Sequence, residues 1–268
     1  MSSTVEKTGR TRKKPPFIAN PVLRWGLLIA VAAYIWWAIT TLPFDWERIQ
    51  DGVPRAIRIF KGAFPPSFLR GELLFDGFME SIKIAIVSTL LGLALSVPIA
   101  FASASNVAPK WLYTIGRGVI IIARSFHPVI VAILFVKAVG FGPLAGILTL
   151  TIYSIGFVAK MLAERIEEID WGQVEAIRAA GGATFVTMLY DVIPQIMPRQ
   201  IGLSIYQLDS NLRASAIVGI VGAGGIGSTL LNAFGRYDYD FALAITLCII
   251  GVILVSEAIS GRIRRNLW

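Results

Sequence analysis

Six apolar runs, separated by polar segments of unequal length, set out the chain at about 22–42, 81–104, 118–139, 144–162, 201–221 and 241–260. As helices they are long enough to cross a hydrocarbon core of about 30 Å. The pattern predicts an all-α integral membrane protein with about six transmembrane helices. Segment 44–79 carries charges of both signs. Within it Ile49, Val53, Ala56, Ile57, Phe60 and Phe64 recur at helical spacing opposite Arg55, Arg58 and Lys61. That describes a helix lying in the membrane interface, starting at Pro54 and ended by Pro65-Pro66. The second run is rich in Ala, Gly and Ser, residues that let membrane helices approach closely, and Pro98 predicts a kink in it.

The longest stretch without a spanning core in the second half is Trp171 to Pro198. Good helix formers fill Gly172 to Ala180, and Gly181-Gly182 then permits a sharp turn. A second short helix is expected from Thr184 to Asp191, stopping near Pro194. The result is a helix–turn–helix elbow outside the bilayer, at 171–198.

Composition agrees with a membrane protein. The hydrophobic fraction is 55%, the charged fraction 16% and the mean hydropathy +0.68, against about 25% charged for a soluble domain. The net charge of +8 does not read as nucleic-acid binding, because the basic residues cluster at span ends. Residues 1–21, with Lys7, Arg10, Arg12, Lys13 and Lys14, form a basic tail. Placing that tail inside puts Lys110, Arg117, Arg165, Arg178, Arg199, Arg262, Arg264 and Arg265 on the same face, as the positive-inside rule requires. Both termini and the elbow are then cytoplasmic, in a membrane whose other face receives few uncompensated cations.

Little of the chain suits catalysis. One cysteine, Cys248, allows no internal disulfide, and one histidine, His127, leaves little for a triad or for zinc. No GxxxxGK[ST] phosphate loop occurs, so the chain does not hydrolyse ATP itself. Gly222, Gly224 and Gly227 spell GxGxxG, but they follow an apolar run rather than a strand. They read as a break after the fifth span that lets backbones pack, not as a dinucleotide site.

Ionisable groups inside spans are costly and need a counter-charge or a wet cavity. Arg124, His127, Lys137, Asp209 and Arg213 are such groups, and Asn211 lies among them. Asp209 and Arg213 are spaced to pair on one helix face. A neutralised structural pair and a lining of the transport pathway fit that spacing equally. Lys137 reads as snorkelling to a span end, and His127 beside Pro128 reads as a packing residue.

The 171–198 elbow resembles the EAA loop of ABC-importer permeases: Glu-Ala-Ala, three residues, Gly, nine residues, Ile-x-Leu-Pro. Glu175-Ala176 open it, Gly181 occupies the Gly position and Ile193-Pro194 close it, while Ile177 replaces the second Ala and Asp191 the Ile. The segment Arg213 to Gly227 is similar to methionine-type and phosphonate-type permeases. Tyr206-Gln-Leu-Asp209-Ser-Asn211-Leu-Arg213, Phe64-Pro65-Pro66 and Arg124-Ser-Phe resemble the phosphonate, phosphite or phosphate branch. That branch usually carries Glu where Asp209 stands and a Pro-Glu pair near His127-Pro128. The resemblance covers about residues 60–268. It implies a permease of a prokaryotic plasma membrane that needs no cofactor and works as a homodimer. Two ATPase subunits would sit on the cytoplasmic side and a solute-binding protein on the other. Glu175, Ala176, Gly181 and Pro194 would couple it to the ATPase. Arg124, Asp209, Asn211 and Arg213 would form the substrate pathway. The spans by themselves also allow an ATPase-independent channel or secondary transporter.

Overall fold

The computed structural model describes residues 20–42, 45–183 and 187–267, and no strand occurs among them. The basic tail up to residue 19 lies outside the described residues, as do 184–186, the expected opening of the second elbow helix. Helix α1 (Pro21–Thr41) starts on Asn20, whose side-chain oxygen accepts the Val22 N–H at 3.1 Å, with Pro21 in the first turn. From Trp25 to Ala38 it is apolar on all faces but for Tyr34, as a lipid-facing helix is. Helix α2 (Trp46–Ala63) begins at Trp46, not at Pro54, which lies inside it. Asp45 explains the earlier start, because its Oδ1 accepts the Arg48 N–H at 3.2 Å and caps the first turn. The boundary between two compact units, 1–57 and 58–268, falls within α2.

The second unit contains α3 (Gly71–Ser103), α4 (Lys110–Ser125), α5 (Pro128–Val139), α6 (Pro143–Glu167) and α7 (Trp171–Ala179). A π-helical turn, Met188–Val192, leads into α8 (Ile193–Ile220), followed by α9 (Ile226–Gly235) and α10 (Tyr239–Leu267). Helices α3 and α6 run parallel in constant register: Gly92 lies against Ser154, and the Ser105 N–H reaches Glu167, 62 positions on. Small buried residues at the seam (Ala85, Ser88, Ser96, Gly146, Thr149) allow that approach.

Beyond the start of α2, three further elements depart from the sequence expectation. The third apolar run is two helices bent by 90° rather than one straight span. Phe126 and His127 are both extended (ψ 134° and 139°), because Pro128 disfavours helical geometry in the residue before it. The elbow's second limb does not stop at Pro194 but runs on into α8, through Pro194 and Pro198. Pro194 sits in the first turn, and the wider π turn ahead of it relieves the clash of its ring with the preceding carbonyls. The polar loop expected up to Asp240 holds the short helix α9. Its glycine-rich lead is tied down by Gly142 N–H to Gly222 O (3.0 Å) and Ile226 N–H to Ser81 Oγ (2.9 Å).

Among the described residues α1, α3, α6 and residues 239–263 of α10 are long and apolar enough to cross a membrane, and α4 with α5 qualifies as one broken span. Helix α8 is more polar because Gln207, Asp209, Asn211 and Arg213 interrupt it.

Candidate functional site

The elbow is built onto the ends of α3, α4 and α6. Asp170 caps α7, its Oδ1 accepting the Gly172 N–H at 2.9 Å. Val174 is buried in a cluster with Ala104, Ile120, Ala163, Ile166, Val192 and Ile196, and Trp171 packs against it. With Val174 turned inward, Glu175 and Ala176 face outward and are exposed. After Ala179 the chain turns at Gly181, whose φ is +87°, and the Gly182 N–H closes the turn on the Ile177 carbonyl at 3.0 Å. Pro194 is exposed on the return limb.

Sequence reasoning missed the brace across this loop. The Asp170 N–H donates to Gln195 Oε1 (3.0 Å), and Gln195 Nε2 donates to Asp191 Oδ1 (2.8 Å), joining the loop's entry to its exit. Asp191, the residue that departs from the EAA pattern, is buried, and its Oδ2 has no hydrogen-bond partner among the described residues.

The second group of residues meets at the bend between α4 and α5. One cavity of about 370 Å³ is lined by Arg124, Phe126, His127, Pro128, Tyr153 and Phe157. A neighbouring one of about 380 Å³ is lined by His127, Pro128, Tyr153, Ser210 and Arg213. His127, Pro128 and Tyr153 border both, so the two arginines flank a shared wall. Gly156 makes room for the first arginine: a Cβ there would stand 2.8 Å from Arg124 Cγ and 3.2 Å from Ala123 Cβ. Among the described residues Arg124 makes no ion pair and is exposed.

Arg213 is held differently. Its Nη2 lies 2.8 Å from Asp209 Oδ2, and Ser256 Oγ donates to Asp209 Oδ1 at 2.6 Å. The Asp209 side chain is 5% exposed and Arg213 35%. The carboxylate faces a mainly apolar cavity shared by α3, α8 and α10, while the guanidinium extends to the cavity wall formed by His127 and Tyr153. The pair thus has a buried anionic side and a partly exposed cationic one.

The structure does not bring Asn211 to that wall. It is 0% exposed, and its Nδ2 donates to Thr89 Oγ1 and Ser154 Oγ (both 2.8 Å) while its Oδ1 accepts from Gln207 at 3.0 Å. It clamps α8 to α3 and α6. Asn211→Leu would remove three buried hydrogen bonds, two of which tie α8 to α3 and α6, each contributing about 0.5–1.5 kcal/mol. It is therefore expected to lower detergent-solubilised yield and thermal stability sharply, read by fluorescence-detected size-exclusion chromatography after heating. His127, in turn, is not a packing residue: it is exposed, borders both cavities, and caps α5 through Nδ1 at 3.4 Å from the Val129 N–H. The Pro-induced bend was the only sequence sign of this.

Apolar helices packed on a parallel α3–α6 pair, a broken span at an arginine-lined cavity, and an elbow at the end of α6 agree with the EAA-loop resemblance to ABC-importer permeases. Comparison with known proteins supports this. Residues 96–268 match the family described as binding-protein-dependent transport system inner membrane component, and the chain belongs to that family. It is 40% identical over 247 residues to the phosphate-import permease protein PhnE of Mycolicibacterium smegmatis, covering 90% of this chain but only 45% of that protein. It is 35% identical over 223 residues to the phosphite transport system permease protein PtxC of Stutzerimonas stutzeri, covering 83% of this chain and 81% of that one. The fold is similar to a permease chain of the MetNI methionine ABC transporter, with a TM-score of 0.65, 23% identity, and 75% and 99% of the two chains covered.

Proposed function

We propose that this permease imports tetrahedral phosphorus oxyanions (phosphonate, phosphite or phosphate) in an ATP-driven complex. Two copies form the pathway, each meeting one ATPase subunit through Glu175, Ala176, Gly181 and Pro194 on the cytoplasmic side, where both termini lie. A solute-binding protein delivers the anion from the other face of a prokaryotic plasma membrane. The observation that carries the reading is the pair of arginines, Arg124 and Arg213, on a shared cavity wall at a helix bend. A planar guanidinium fork suits a tetrahedral oxyanion. Asp209 fixes Arg213 and moderates its field, so that binding stays weak enough for release. The names of the similar permeases support the substrate class.

The test is reconstitution of the chain with the ATPase and binding protein encoded beside it. Native mass spectrometry is expected to show two permease copies, and vesicles are expected to accumulate phosphite or methylphosphonate only with ATP. Uptake driven by an ion gradient without the ATPase would replace this reading with a secondary transporter.

A further inference from the structure

A charged cluster outside both cavities sits at the root of the elbow. Arg117 on α4 donates from Nη2 to both oxygens of Glu167, the last residue of α6, at 2.9 Å each. Its Nε donates to the Ser103 carbonyl at 3.0 Å, and Glu167 Oε1 also accepts the Ser105 N–H at 2.8 Å. Asn106 adds a 2.6 Å bond to the Ile166 carbonyl. Close contact of α4 with the end of α3 brings Arg117 into range: a Cβ on Gly116 would stand 3.0 Å from the Ser103 nitrogen. One guanidinium therefore pins the ends of α3 and α6 to the body of α4.

Its position along α4 gives the cluster meaning. In one direction α6 passes through Ile169 and Asp170 directly into α7, the limb that displays Glu175. In the other, two turns or about 10 Å along α4, stands Arg124 on the cavity wall, its stem crossing α6 at Gly156. An apolar contact at this point would slide under load. An ion pair in which one Nη2 spans both carboxylate oxygens, while Nε is held on the Ser103 carbonyl, resists that sliding.

We infer that Arg117 and Glu167 form a positioning latch that makes α4 a rigid strut between the elbow and Arg124, so that movement of the elbow changes the cavity. The inference rests on the elbow being the ATPase-coupling loop. Neither residue lines the Arg124 or the Arg213 cavity.

The complete reconstituted complex tests the latch through two rates: ATP hydrolysed and anion carried, per assembled transporter. Glu167→Gln keeps an acceptor for the Ser105 N–H but removes the charge that pairs with the Arg117 guanidinium. It is expected to leave assembly and basal hydrolysis unchanged and to raise the ATP consumed per anion by about tenfold, within the usual range of coupling between sites. Arg117→Lys keeps the charge but loses the Nε bond to the Ser103 carbonyl, and is expected to give a smaller rise. If both variants keep the wild-type ratio, whether or not the two rates fall together, the pair is only a structural pin and the latch is refuted. Should Glu167→Gln fail to assemble, the ratio measured for Arg117→Lys decides alone. Gly181→Val separates the latch from the elbow it depends on. If it uncouples the complex while the latch variants do not, only the latch fails. If it also leaves the ratio unchanged, the coupling role of the elbow fails with it.

Discussion

Gly181→Val is expected to reduce ATP-driven uptake by at least about tenfold while the permease still inserts and assembles. The glycine holds φ at +87°, and a Cβ built on it meets nothing within 4 Å. The effect is therefore one of backbone strain, about 1–3 kcal/mol for a non-glycine residue held there, and worst for a β-branched one. The chain escapes that strain by reshaping the turn, which displaces the Gly182 N–H from the Ile177 carbonyl and swings the exposed face of α7. Asparagine tolerates the left-handed region, so Gly181→Asn is expected to retain most uptake. The neighbouring Gly182 makes a contrasting control. A Cβ there would stand 2.7 Å from Ile177 Cγ2, so alanine acts by collision rather than by strain. Uptake and hydrolysis measured in vesicles, normalised to assembled complex, check the ordering. Wild-type uptake by Gly181→Val would remove the lever assignment.

The elbow was the most legible part of the chain because its signals are local. Gly181-Gly182 permits the turn, where Gly181 takes a φ of +87°, and the good helix formers before it form α7. What periodicity could not show was direction. The run 118–139 is apolar except at Arg124, Ser125, His127 and Lys137, and such a run reads the same straight or bent by 90°. Only Pro128, acting on His127, marks the corner. The opposite error arose at Pro194 and Pro198. Proline is a helix breaker in an interior but is tolerated in a first turn, and a π turn ahead of it let two expected helices become one. Asn211 escaped for a third reason. A polar side chain inside a span needs partners whichever role it has, and sequence does not say whether those partners are Thr89, Ser154 and Gln207 or a passing ion. The Arg117–Glu167 bridge joins residues fifty positions apart, and no local pattern couples them.

The pairing of Asp209 with Arg213 leaves two roles to separate, and removing both charges together separates them. Arg213→Ala alone strands a carboxylate side chain that is 5% exposed, with only Ser256 left to it. Loss of one partner of a buried ion pair costs about 3–5 kcal/mol, so that variant is expected to fold poorly whichever role the arginine plays. In Asp209→Ala with Arg213→Ala no buried charge is left unpaired, and replacing such a pair by apolar groups is often close to neutral. Ser256 then loses an acceptor but can bond a carbonyl of its own helix. Yield and thermal stability of the double variant are therefore expected to return towards wild type. Uptake is not. With Arg213 gone, the wall bordered by His127 and Tyr153 keeps only Arg124. An oxyanion crossing there loses one of two guanidinium contacts, each charge-assisted bond contributing about 1.5–3 kcal/mol. Uptake per assembled complex is expected to fall by at least about tenfold, with basal ATP hydrolysis intact. Near-normal uptake by the double variant would make the pair a structural tie between α8 and α10 and move the anion route elsewhere in the dimer. Severe loss, together with a raised half-saturating concentration of phosphite, would place Arg213 on the route and leave Asp209 as the group that holds it there.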